Sequence, residues 1–173
     1  MYSSDHERVT RALAARCGFP TDHLDEYAEA VRATDTARDA RGRKVFDNAR
    51  YHTKVCLFRD PRRATAQRHL AEAVALWNQG RRQDAVRSLG AGTHALQDLL
   101  AHGGMARSVL LHRKRGAWAW VARAQRALGL RDIDDWDTTP GAIQRRIESE
   151  TRAYINRFLS GTQEGAGPGG HES

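Results

Sequence analysis

The chain has 173 residues, 40% of them hydrophobic and 28% charged, with 28 Lys or Arg against 21 Asp or Glu for a net charge of +7. That composition describes one soluble globular domain and excludes a disordered, fibrous or disulfide-dense chain. No apolar run approaches the roughly 20 residues of a membrane helix, and the opening Met1–Arg8 stretch is polar with no signal-peptide core behind it, so the expected location is the cytoplasm unless a non-classical route exports the chain.

Punctuation by Gly, Pro and capping residues divides the chain into helices. Asp5 caps a first helix with Val9, Ala12, Leu13 and Cys17 at helical spacing, stopped by Gly18 and Pro20. Thr21 caps a second, through Leu24, Tyr27, Ala28 and Val31, fading at Thr34-Asp35. The stretch from Thr36 to Phe58 is the least legible, with a short helix expected around Lys44–Arg50.

Asp60-Pro61 starts a helix whose stripe is Ala66, Leu70, Ala73, Val74 and Trp77, ending at Asn78-Gln79-Gly80 in the tight turn of an antiparallel helix pair. Its partner runs from about Gln83 to Ala101. A further helix is expected over Ala117–Leu128, then an acidic loop holding Asp132, Asp134, Asp135 and Asp137, and a last amphipathic helix after Thr139-Pro140 with Ile143, Ile147, Tyr154, Ile155 and Phe158. No segment alternates as a strand does. The expected fold is an all-α, single-domain helical bundle over residues 1–160 with a metal cleft between helices, followed by a disordered Gly-rich tail over 161–173.

The positive charge favours polyanionic partners: nucleic acid, phosphorylated substrates or anionic lipid. The basic residues are nearly all Arg, spread along the chain apart from Arg41-Gly42-Arg43-Lys44 and His112-Arg113-Lys114-Arg115, so charge alone does not select among them. Cys17 and Cys56 lack zinc-ribbon spacing and are expected to be reduced, buried and structural.

The chemistry concentrates in Ser88–Ala106, where Asp98 is the one carboxylate and no Lys or Arg occurs. At about 100° per residue, His94, Asp98 and His102 share roughly an 80° arc of one helix face, opposite Leu89, Leu96, Leu99 and Leu100. Gly90, Ala91 and Ala101 flank that arc and admit a close neighbour. Two imidazoles and a carboxylate buried together need a partner, and a divalent metal supplies it; the structural alternative is a pair of histidines hydrogen-bonded to Asp98. Further ligand candidates are His6 on the first helix, Asp35 at the end of the second, where it opposes the helix dipole, and His52 before the Asp60-Pro61 start. His69, beside the apolar stripe of its helix, is expected to be a satisfied core histidine, with replacement of His52 as ligand the alternative.

The run Leu89-Gly90-Ala91-Gly92-Thr93-His94-Ala95-Leu96-Gln97-Asp98-Leu99-Leu100-Ala101-His102-Gly103 resembles the signature of the heterokaryon-incompatibility C-like branch of the zinc-dependent phospholipase C and fungal single-strand nuclease superfamily. The order His6, Asp35, His52 and then the motif helix is similar to that of the superfamily over residues 5–105. The resemblance implies an all-α bundle with two or three zinc ions, or another divalent metal, hydrolysing phosphodiesters of phospholipids or nucleic acids. It implies that Asp35, His52, His94 and Asp98 hold one ion, that His6 shares Asp98 with a second, and that His102 belongs to a further position. The better-known enzymes space that last histidine further from the Asp and complete its site with another His and a carboxylate; His112 is the nearest candidate here, with Asp132, Asp134 or Asp135 as substitutes for the carboxylate. Secreted members also use a processed N-terminal amine as a ligand.

The function expected on these grounds is metal-dependent hydrolysis of a phosphoric ester (phospholipid, nucleotide or small phosphoester), with Asp35 and Asp98 as the carboxylates of the catalytic site. The alternatives are a non-hydrolytic metal protein, or a tailoring enzyme using the same cage, and then a metal-free nucleic-acid-binding helical protein.

Overall fold

The computed structural model describes residues 1–46, 48–51, 60–102, 136–137 and 139–163. Among the described residues the chain forms six α-helices, in order α1 (Ser3–Arg16), α2 (Leu24–Thr36), α3 (Asn48–Tyr51), α4 (Arg62–Asn78), α5 (Arg82–His102) and α6 (Gly141–Gln163), with a 3-10 turn at Thr21–His23 leading into α2. The all-α bundle expected from the sequence is what these residues form. No described helix is long and apolar enough to cross a membrane.

α5 is the axis of the bundle. Every residue from Ser88 to Asp98 is buried, which explains a segment so poor in charge, and α1, α2, α4 and α6 surround it. α4 and α5 form the expected antiparallel hairpin: Gly80 takes the left-handed conformation in the turn, His69 meets Ser88 near it, and Arg62 meets Asp98 far from it. One core runs through the bundle, built from Val9 and Leu13 of α1, Tyr27 and Val31 of α2, Val86, Leu89 and Leu96 of α5, and Ile147, Tyr154, Ile155 and Phe158 of α6.

Several boundaries differ from expectation. α1 begins at Ser3 with Tyr2 as its cap, because the Tyr2 carbonyl accepts from the amides of Asp5 and His6. Asp5 therefore lies inside the first turn, where its charge favours the dipole, and it pairs with Arg8. Thr21 opens the 3-10 turn instead of capping α2. The short helix expected around Lys44–Arg50 is α3, which starts only at Asn48; Lys44 itself bridges to Arg38 in a small hairpin around Gly42, and Asp39 draws that loop together by accepting from the amides of Arg41 and Arg43. α6 continues three residues past the Ser160 boundary, since Gly161 lets α6 pack directly on Val74 of α4 and its carbonyl accepts from the Asn78 side chain. Cys17 is half-buried. Cys56, the 117–128 helix, the acidic residues at 132, 134 and 135, and the tail beyond Gln163 lie outside the described residues.

Candidate metal centre

Three helices bring the candidate residues together. His6 lies on the face of α1 that carries Val9, Thr10 and Leu13 into the core, so the helix that buries those residues buries the imidazole with them. His94, Asp98 and His102 step along α5 one turn apart, and all are buried. Asp35 closes α2. That helix crosses α5 at Gly90, where a Cβ would stand 2.6 Å from the Ala30 methyl and 2.8 Å from the Ala30 carbonyl carbon. Only glycine permits so close a crossing, and Asp35 thereby stands one turn along from it beside His94.

The side chains converge on Asp98. His6 Nε2 lies 3.1 Å from Oδ1, His94 Nε2 lies 3.6 Å from Oδ2, and His102 Nδ1 lies 3.9 Å from Oδ2. Asp35 Oδ1 is 3.7 Å from His94 Nε2, with its side chain 22% exposed at the rim. The nitrogen of Met1 stands 3.1 Å from His102 Nε2 and 3.8 Å from Asp98 Oδ1. One ligand atom each from His6, His94 and Asp98 fall within 4.8 Å of one another, so this buried group could hold a metal ion.

Hydrogen bonding and protonation explain why it suits one. The Gln97 amide donates from Nε2 to Thr10 and Thr151, which turns its Oε1 toward His6 Nδ1 at 2.7 Å. An amide oxygen only accepts, so His6 Nδ1 carries the proton. His94 Nδ1 in the same way donates to the Val31 main-chain carbonyl at 3.2 Å. Burial, against the opposing influence of Asp98, lowers the pKa of His6 below its ordinary 6.5. Burial and then the neighbouring His6 push His94 down to about 4. Burial thus favours the neutral form of both rings at pH 7, and each aims its Nε2 at the Asp98 carboxylate.

A neutral imidazole anchored through one nitrogen to a protein acceptor, with the other nitrogen aimed at a carboxylate, is the arrangement that orients histidine as a metal ligand. The mixed nitrogen and oxygen donor set suits zinc and other first-row divalent ions. The residues thus fit a divalent metal.

Of the residues singled out from the sequence, His6, Asp35, His94, Asp98 and His102 meet in this region, whereas His52 and His112 lie outside the described residues. His69 is elsewhere, on the face of α4 toward α3, bonded to Tyr51 and Ser88. Gln97 and Arg62 had no assigned role in the sequence reading. For Gln97 a signal existed, since a glutamine inside a buried helix face must have a polar partner. No family model matches the chain, and neither does any curated protein or solved structure.

Proposed function

We propose that the chain is a metal-dependent, most simply zinc-dependent, phosphoric-ester hydrolase. The observation that carries the metal is the pair of neutral, buried imidazoles whose Nδ1 protons are committed to Gln97 and Val31 while both Nε2 atoms aim at Asp98. The resemblance of Leu89–Gly103 to the zinc-dependent phospholipase C and single-strand nuclease superfamily supports the reaction class. His6, His94 and Asp98 would hold the first ion, with Asp35 and His102 as the adjoining donors and His52 and His112 as the further ligands that the resemblance implies, for two or three ions in all.

A divalent ion held there would supply Lewis acidity toward a phosphoryl oxygen and hydroxide at neutral pH. Asp35, partly exposed and beside His94, would orient a water and accept its proton. The basic hairpin that follows α2 exposes Arg38, Arg41, Arg43 and Lys44 immediately after Asp35, and such a surface draws an anionic substrate toward the site. Asp98, with a side chain only 4% exposed, holds the histidines in register from within.

The deciding experiment is elemental analysis of tag-free protein beside His94→Ala and Asp98→Ala variants, followed by a panel of phosphodiesters, phosphomonoesters and phospholipids. Two or more ions per chain, lost in the variants, with turnover of one panel member, is the expected result. Metal-free wild-type protein, with both variants folded, overturns the proposal. A second reading draws on the complete burial of His6 and His94, because structural metal sites are closed and catalytic ones keep an open position. It gives a non-hydrolytic metal protein, or a tailoring enzyme using the same cage. For the non-hydrolytic form, chelation would unfold the chain while no phosphoester is consumed.

A further inference from the structure

The chain buries a full positive charge beside the metal centre. Arg62, the first residue of α4, has no exposed surface. Its Nε and Nη2 engage the carboxylate of Asp60, and its Nη1 donates to the main-chain carbonyl of Asp98 at 2.7 Å. Asp60 is itself 37% exposed on its side chain, so the ion pair runs from the surface to the back of the centre.

Stability does not account for this arrangement. Burying an ion pair costs desolvation that its attraction barely repays, and apolar residues of similar volume in its place are often neutral or stabilising. Contact with substrate does not account for it either, since the guanidinium has no exposed surface. What Arg62 touches is more informative. Asp98 carries the carboxylate toward which His6 and His94 turn, and a guanidinium from the antiparallel neighbour holds that same residue by its main-chain carbonyl.

We propose that Arg62 is a positioning residue of the metal centre. Braced by Asp60, it fixes α5 at the Asp98 carbonyl, and so fixes where the Asp98 carboxylate and the His102 ring stand relative to His6 and His94. The planar fork of arginine is needed because one group must reach both a carboxylate and a carbonyl; the single ammonium of lysine keeps the charge and loses the span. The inference rests on the metal centre proposed above.

The test is equilibrium titration of wild type, Arg62→Met, Arg62→Lys and Asp60→Asn with Zn²⁺ and with Co²⁺, whose visible absorption reports ligand geometry, beside urea unfolding of each metal-free protein. Arg62→Met is expected to weaken Zn²⁺ binding about 10- to 100-fold, as loss of a group supporting the ligands does. Its Co²⁺ spectrum is expected to change, and the loss of affinity to exceed what any fall in the metal-free urea midpoint accounts for. Arg62→Lys is expected to recover part of the affinity, and Asp60→Asn to lose less than Arg62→Met. Wild-type affinity and spectrum in the Arg62 variants overturn the inference and leave the metal centre standing. So does a loss of affinity that only tracks a loss of metal-free stability and that Arg62→Lys does not relieve. Should Arg62→Met not fold, Arg62→Lys and Asp60→Asn decide by the same criteria. A wild-type protein that takes up neither ion overturns the metal centre, and the inference with it.

Discussion

Two histidine clusters lie along α5, and they are wired in opposite ways. In the amino-terminal half, the Tyr51 hydroxyl donates to His69 Nε2, His69 Nδ1 donates to Ser88 Oγ, and the Ser88 hydroxyl donates to Glu72, at 2.7, 2.8 and 2.8 Å. Every proton in that chain has an acceptor, and the last acceptor is a carboxylate that is more than half exposed. In the carboxyl-terminal half, His6 and His94 spend their Nδ1 protons on Gln97 and Val31, and turn their Nε2 atoms toward the carboxylate of Asp98. The first cluster closes on itself through hydrogen bonds alone. The second gathers donor atoms that could hold a metal ion. Polar groups of the same kinds, a few turns apart along one helix, thus form a closed hydrogen-bonded chain in one place and a candidate ligand set in the other, and the direction of each hydrogen bond separates the two cases.

Proton competition gives the largest expected difference between the clusters. A histidine with a folded-state pKa below its unfolded value binds fewer protons when folded, so the stability it contributes is complete above about pH 6.5 and is lost as pH falls toward the folded value. For His94, pushed down to about 4, the loss across that window is on the order of 3 kcal/mol in metal-free protein. Urea midpoints in chelator from pH 7 to pH 4 should fall steeply for wild type and less for His94→Gln. Equal slopes would mean that His94 titrates in the fold as it does in the unfolded chain.

A smaller effect follows from removing the acceptor that sets the His6 tautomer. Gln97→Leu frees His6 to move its proton to Nε2 and bond Asp98 directly, which makes the second cluster self-closing like the first. Metal affinity is then expected to drop about 10- to 100-fold, whereas Gln97→Glu, which keeps an acceptor at Nδ1, should bind nearly as wild type. Isothermal titration of both variants checks this, and equal losses would show that the amide matters only for packing.

The smallest effect is expected at the first cluster. Ser88→Ala removes one hydrogen bond, and His69 Nδ1 already stands 3.3 Å from Glu72 Oε2, so the chain can close without the hydroxyl. A loss of about 1 kcal/mol in unfolding free energy with unchanged metal content is the expected outcome. A change in metal content would show that the two clusters are coupled through α5.

Much of the architecture was legible in the residue pattern because helix signals are local. Gly18, Pro61 and Gly80 marked element ends close to where they fall, the Trp77–Arg81 turn announced the hairpin, and the charge-poor run of Ser88–Ala106 announced a buried helix. Local signals misjudged the start of α1, where the Tyr2 carbonyl outranks the Asp5 side chain, and the end of α6, where packing on Val74 holds a glycine in the helix. The hairpin around Gly42 was missed because its order comes from Asp39 and not from an apolar pattern.

The same division runs through the candidate site. The 3.6-residue period alone places His94, Asp98 and His102 on one face, and no tertiary information is needed for that. Everything that makes them a candidate metal centre is long-range. His6 arrives from α1, Asp35 through the crossing at Gly90, the Nδ1 acceptors from Gln97 and Val31, and the brace from Arg62 at the start of α4. A sequence states which donors and acceptors a helix face carries. Burial and the partners across each interface decide which of them hold protons, and that is a property of the assembled bundle.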